Sequence, residues 1–209
     1  MLLYRNMYLV QTVLLSSSKQ ALAAGGPVKV VLLGHSYIRR LGEYAAGIPD
    51  GVNLGLSDIQ VTYVCQGGMT PGPRAGNRWI RDHLTEVTSS SPSIMLHIGE
   101  NDLGSLPASE VVGEILQLAW DLCRDYQCPV YVTQLLAWLC HSPERLLDVE
   151  EINTELLHTW RRPYFWRHLG CGLNSRYPDM FEGVHLSPSG TEKYYQSIRT
   201  CVGRAIRHQ

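Results

Sequence analysis

Four short segments of this 209-residue sequence carry groups that could do chemistry together if the chain brings them to one place. Gly34-His35-Ser36 offers a serine hydroxyl on a tight turn, and Glu182-Gly183-Val184-His185 offers an imidazole with a carboxylate three residues before it. A serine hydroxyl needs a base to take its proton, and that base needs an acceptor to fix its tautomer. Gly67-Gly68-Met69-Thr70 lets backbone N–H groups approach a ligand without a Cβ in the way. Gly99-Glu100-Asn101-Asp102 adds a side-chain amide able to donate to a developing oxyanion. The set reads as nucleophilic acyl transfer. Each member alone has a plainer reading: Ser36 as a helix N-cap, the glycine pair as a turn, Asn101 in an Asx turn, and His185 as a loop histidine beside a solvated glutamate. Their joint order favours the chemistry.

These groups need elements to position them. The run 28–33 is β-branched, nearly all apolar and ends on Gly34, as a strand buried on both faces would. A helix is expected over 37–46, a second strand over 59–64, a second helix over 77–87 and a third strand over 93–98. A long helix over 108–126 with a regular apolar stripe leads to a fourth strand over 129–135. A helix over 149–168 interrupted by Pro163, a short strand candidate over 169–173 and a closing helix over 188–206 complete the chain. Alternating strands and helices require parallel pairing, with right-handed crossovers that put helices on both faces. The expected fold is a single three-layer α/β domain built on a parallel, flavodoxin-like sheet of about five strands. In such sheets ligands sit beyond the carboxyl ends of the strands, where Ser36, Gly68 and Asn101 fall.

In this order and spacing the four segments resemble the block pattern of the SGNH (GDSL-like) hydrolases, from about Val28 to the C-terminus. The resemblance implies Ser36 as nucleophile and His185 as general base. It implies Gly68, with Gly67 as an alternative, and Asn101 as oxyanion donors beside the Ser36 amide. It also implies short-chain ester hydrolysis, acetyl groups included, on a small molecule or glycan ester, with no cofactor. Two positions depart from the family. His35 stands where Asp usually precedes the serine and braces its loop. Glu182 stands where Asp usually lies three residues before the histidine, with Asp179 the reserve for that third triad role. The competing reading is a catalytically impaired SGNH-fold domain that serves binding or interaction, motivated by those two positions.

Composition narrows the remaining options. Lys and Arg number 18 against 19 Asp and Glu, a net charge of -1, so no broad positive field holds a nucleic acid. Lys193, Arg199, Arg204 and Arg207 read as the solvated, dipole-favoured end of the last helix. Six cysteines without a CxxC pair, and histidines without metal-ligand spacing, point to reduced core thiols and no metal site. His97, inside the third strand, reads as a hydrogen-bonded core or near-site histidine, and Trp160, Trp166, Trp138 and Tyr164 as core or pocket-lining aromatics. Residues 1–26 form an N-terminal leader or extension with weak signal-peptide character, and the hydrolase-type domain spans 27–209. No stretch after the leader reaches the roughly 18 apolar residues of a membrane span. The expected location is cytoplasmic, or secreted if residues 1–24 act as a signal. Composition leaves the oligomeric state open.

Overall fold

The computed structural model describes residues 26–72, 76–87, 92–137, 142–160, 164–169, 173 and 181–207. The leader, Trp138 and Asp179 therefore lie outside the described residues. Five parallel strands form the central sheet: β1 (Val28–Gly34), β2 (Ile59–Cys65), β3 (Ser93–His97), β4 (Val130–Thr133) and β5 (Phe165–Trp166). Their order is β2-β1-β3-β4-β5, the flavodoxin-like arrangement. The helices are α1 (Ser36–Ala46), α2 (Gly76–Val87), α3 (Ala108–Tyr126), α4 (Pro143–Trp160) and α5 (Pro188–Arg207). A two-stranded antiparallel hairpin, β6 (Phe181–Glu182) and β7 (His185–Leu186), precedes α5.

The core follows from the apolar patterns. Val30 to Leu33, Ile94 to Leu96 and Val130 to Val132 are buried, because β1, β3 and β4 each have a strand on either side and helices above and below. α1 turns Tyr37, Ile38, Leu41 and Ala45 inward, and α3 turns Val111, Ile115, Leu118, Ala119 and Leu122 inward, both at helical spacing. α1 packs with α5 and α3 with α4. That pairing suits right-handed crossovers running in opposite directions from the middle of the sheet. The same geometry puts the topological switch between β1 and β3, whose carboxyl ends carry Ser36 and Asn101.

Several local expectations are corrected. The helix expected at 149–168 is Pro143–Trp160. It starts earlier because Ser142 Oγ accepts from Arg145 N at 3.4 Å and Pro143 occupies the first turn, where a missing N–H costs nothing. A fifth strand forms at Phe165–Trp166, where Val132 N and Gln134 N donate to Tyr164 O and Trp166 O at 2.8 Å and extend the ladder; most of the 169–173 strand candidate lies outside the described residues. The segment before α5 is a hairpin, where a loop was expected. Gly183 has φ of 63° and Val184 does not share it, the pattern of a two-residue II′ turn. The fourth strand is also shorter than 129–135.

The aromatics and cysteines take structural places. Trp160 is buried with its indole N–H donating to Val130 O at 3.1 Å, and Tyr164 is buried against Tyr131. Trp166 donates to Ser197 Oγ and lies under the Arg204 guanidinium at 5.2 Å. Arg199 donates to Gly55 O. Cys65, Cys123, Cys128 and Cys201 are free thiols. Among the described residues no helix is long and apolar enough to cross a membrane.

Candidate active site

Ser36 is the first residue of α1, and the N-cap is His35. The plain reading of Ser36 as the cap is thereby set aside. The His35 ring takes that role, with Nδ1 accepting from Tyr37 N at 3.5 Å, and the half-buried Ser36 hydroxyl is released from it. The turn can be this tight because residue 34 is glycine: a Cβ there would come within 2.1 Å of His97 O. The Ser36 amide belongs to the helix N-terminus, where N–H groups and the helix dipole favour an anion.

Gly68 has φ of 72° and is exposed; Gly67 lacks a positive φ, so the conformational demand for glycine falls on Gly68. Asn101 sits in a 3-10 turn, Glu100–Asp102, entered through Gly99 at φ of 127°. Its Nδ2 donates to Met69 O at 2.9 Å, which ties the oxyanion-type loop to the Gly67-Gly68 loop. A primary amide carries two N–H donors, so one remains for a ligand.

His185 lies half-buried on β7. Burial lowers its pKa, and the positive charges of Arg40 and Arg39 lower it further, with a contribution from His35. The hairpin carrying it meets α1 directly: Tyr37 Oη donates to Val184 O at 3.0 Å. The residue after Ser36 is thus bonded to the residue before His185. Within the described structure no hydrogen bond joins Ser36 to His185 themselves. The backbone of Glu182 pairs directly opposite that of His185 in the hairpin.

Beneath these loops lies a buried network that the sequence pattern does not assign. His35 Nε2 and His97 Nε2 each lie 2.8 Å from a different oxygen of Glu100, and Leu136 N donates to Glu100 Oε1 at 3.0 Å. His97 Nδ1 meets Thr133 Oγ1 at 2.7 Å. All three ionisable residues are about 1 % exposed. Burial by itself raises the Glu100 pKa, but the charge and hydrogen bonds of the two imidazoles outweigh it and hold the carboxyl well below the usual range. The expectation for His97 holds: it is a hydrogen-bonded, buried histidine beside the candidate site. The sequence carries only a partial signal for Glu100: His97 lies three residues before it, but the bond to His35 exists only once β1 and β3 pair. The three ligand-type atoms lie within 4.8 Å of one another, close enough to consider a metal ion. Each imidazole nitrogen faces its own oxygen at hydrogen-bond distance, so the side chains satisfy one another as a hydrogen-bonded network.

The fold is shared with solved structures of lipolytic G-D-S-L proteins and esterases. Psychrotrophic esterase EstA from Pseudoalteromonas sp. is 14% identical at a TM-score of 0.61, over 86% of this chain and 98% of its own. A member of the lipolytic G-D-S-L family from Veillonella parvula is 14% identical at 0.60, over 81% and 95%. The OSK domain of Drosophila Oskar is 15% identical at 0.61, over 82% and 86%. No protein-family model and no curated protein matches the sequence. The chain therefore has the fold of the SGNH hydrolases, a single α/β domain with a flavodoxin-like parallel sheet. Identity this low carries the architecture; the chemistry has to be argued from the site.

Proposed function

We propose that the chain is a serine esterase or deacylase acting on short-chain esters of a small molecule or glycan. His185 takes the Ser36 proton and Ser36 Oγ attacks the ester carbonyl. The oxyanion is held by the Ser36 and Gly68 amides and the free Asn101 N–H, and the leaving alcohol takes the proton back from His185. Water, deprotonated by His185, then releases the acyl group. Glu182 fixes the His185 tautomer. Directly paired positions in an antiparallel ladder have Cβ atoms about 4.5–5.5 Å apart, which suits that role.

The observation that carries this reading is the 3.0 Å bond from Tyr37 to Val184, which holds the helix bearing Ser36 against the hairpin bearing His185 at the switch point of the sheet. The lowered pKa of His185 supports it as well, because a base must be unprotonated near neutral pH.

The test is covalent labelling with a fluorophosphonate, a reagent class suggested by the phosphonate-inhibited esterase that shares the fold. The parent protein is expected to label at Ser36, and Ser36→Ala and His185→Ala to lose labelling while remaining folded. A folded parent that never labels would replace the enzyme with a binding or interaction domain. Glu182→Gln is expected to lower turnover by up to about 10⁴-fold, as when a triad carboxylate becomes an amide, and Glu182→Asp to be tolerated. An active Glu182→Gln beside a dead Asp179→Asn would move the third role to Asp179.

A further inference from the structure

We propose that Glu100 is a positioning residue that sets the attack geometry of Ser36 by holding the His35 ring in one tautomer; the inference rests on the esterase reading above. Glu100 is adjacent to Asn101, and His35 is adjacent to Ser36, so one carboxylate joins the nucleophile turn after β1 to the oxyanion turn after β3. Its third partner, Leu136 N, lies just past β4. Three loops at the carboxyl edge of the sheet are fixed to a single side chain.

The proton positions follow from the partners. Glu100 is ionised, with its pKa held far down, and an ionised carboxylate only accepts. Both Nε2 atoms therefore carry hydrogen. With Nε2 protonated, His35 Nδ1 is free to accept from Tyr37 N, which is the N-cap of α1. The carboxylate thus selects the tautomer that caps the nucleophile helix. Rings of Tyr37 and Tyr194 enclose the network, with Tyr37 5.0 Å from His35 and Tyr194 5.3 Å from His97. Water is kept from competing for these bonds.

Glu100→Gln keeps the shape but aims an NH2 at one imidazole N–H. The clash is relieved by moving the His35 proton to Nδ1, which abolishes the cap. A displacement of about 1 Å at a reacting group can cost roughly 10²-fold in rate. The expected result is a fluorophosphonate labelling rate and kcat lowered by about 10²-fold with KM changed little, and a nitrogen NMR spectrum in which His35 switches from the Nε2–H to the Nδ1–H form.

A second variant guards against misfolding. His35→Asn is too short to reach Glu100, so any cap it makes is no longer oriented by the carboxylate, and it is expected to lose rate similarly. Combining it with Glu100→Gln should add little further loss, since both cut the same link. A parent that does not label overturns the esterase reading itself. A parent that labels, with folded Glu100→Gln or His35→Asn labelling at the parent rate, overturns the clamp alone. Labelling lost on chelator treatment and restored by zinc also overturns it, and assigns the three side chains to a metal. Labelling unchanged by chelator is the result expected.

Discussion

At the scale of single residues, the proposed chemistry depends on the second amide hydrogen of Asn101 and on the base His185. Asn101 spends one amide hydrogen on Met69 O and keeps the other. Asn101→Ala is expected to reduce turnover by roughly 10²–10³-fold, the usual effect of removing one oxyanion donor, in a protein that still folds. Unchanged turnover would leave Asn101 as a loop tie only. For His185 the sign of the pH effect is fixed by its surroundings. Burial first, and then Arg40 and Arg39, disfavour the imidazolium, so the base form persists to lower pH than for an ordinary histidine. The acid limb of kcat/KM is expected below about 6.5, and a limb above that value would contradict the assignment.

At the scale of elements, function depends on how closely strand ends and helix starts approach. Gly34 lies between β2 and β3, and a methyl group there would meet His97 O at 2.1 Å and Ile38 at 2.9 Å. Gly34→Ala must push β1 and β3 apart. It is expected to lower stability by about 1–3 kcal/mol, the usual overpacking cost, and to slow labelling of Ser36, both readable from denaturant melts and probe kinetics. Much of this layer is legible in the sequence. The buried strands announce themselves as apolar β-branched runs, and α3 matches its stripe at both ends. The errors have physical causes. Ser187-Pro188 marks the start of α5, and Ser142-Pro143 marks the start of α4 in the same way, but the latter lacks a strong apolar stripe to draw attention to it. The strand Phe165–Trp166 is two residues long, too short for any period to register. The four segments proposed for catalysis can be picked out because each is a short contiguous run. The Glu100 network cannot be, because its bond to His35 spans 65 positions and exists only after β1 and β3 pair.

At the scale of the whole molecule, the buried ionisable groups make stability depend on pH. His168 is buried, with Nδ1 against Ser197 Oγ at 2.8 Å, and burial, followed by the charge of His97, lowers its pKa to about 3. An unfolded histidine takes up its proton near 6.5. The folded state therefore keeps this contribution in full above about 6.5 and loses it progressively as pH falls toward 3. Glu100 acts in the same direction, since its depressed pKa gives stability that is present above about 4.3 and lost below. Melting temperature is expected to fall steadily between pH 6.5 and 4, and His168→Gln to flatten the upper part of that slope. A Tm independent of pH across this interval would show that His168 is not held neutral and Glu100 not held ionised in the folded protein.

The Glu100 network also bears on how such a sequence can change over generations. Removing one partner of this buried network leaves a polar group without its hydrogen bond, at about 1–3 kcal/mol and more for a charged group, a large share of what holds a domain of this size together. His35, Glu100 and His97 therefore form a unit of inheritance whose members cannot drift singly. Kindred chains with histidine before the serine are expected to carry glutamate before the asparagine. Those with aspartate before the serine are released from that requirement. The pairing is a marker by which descendants of this lineage can be sorted from the rest of the fold before any of them is assayed.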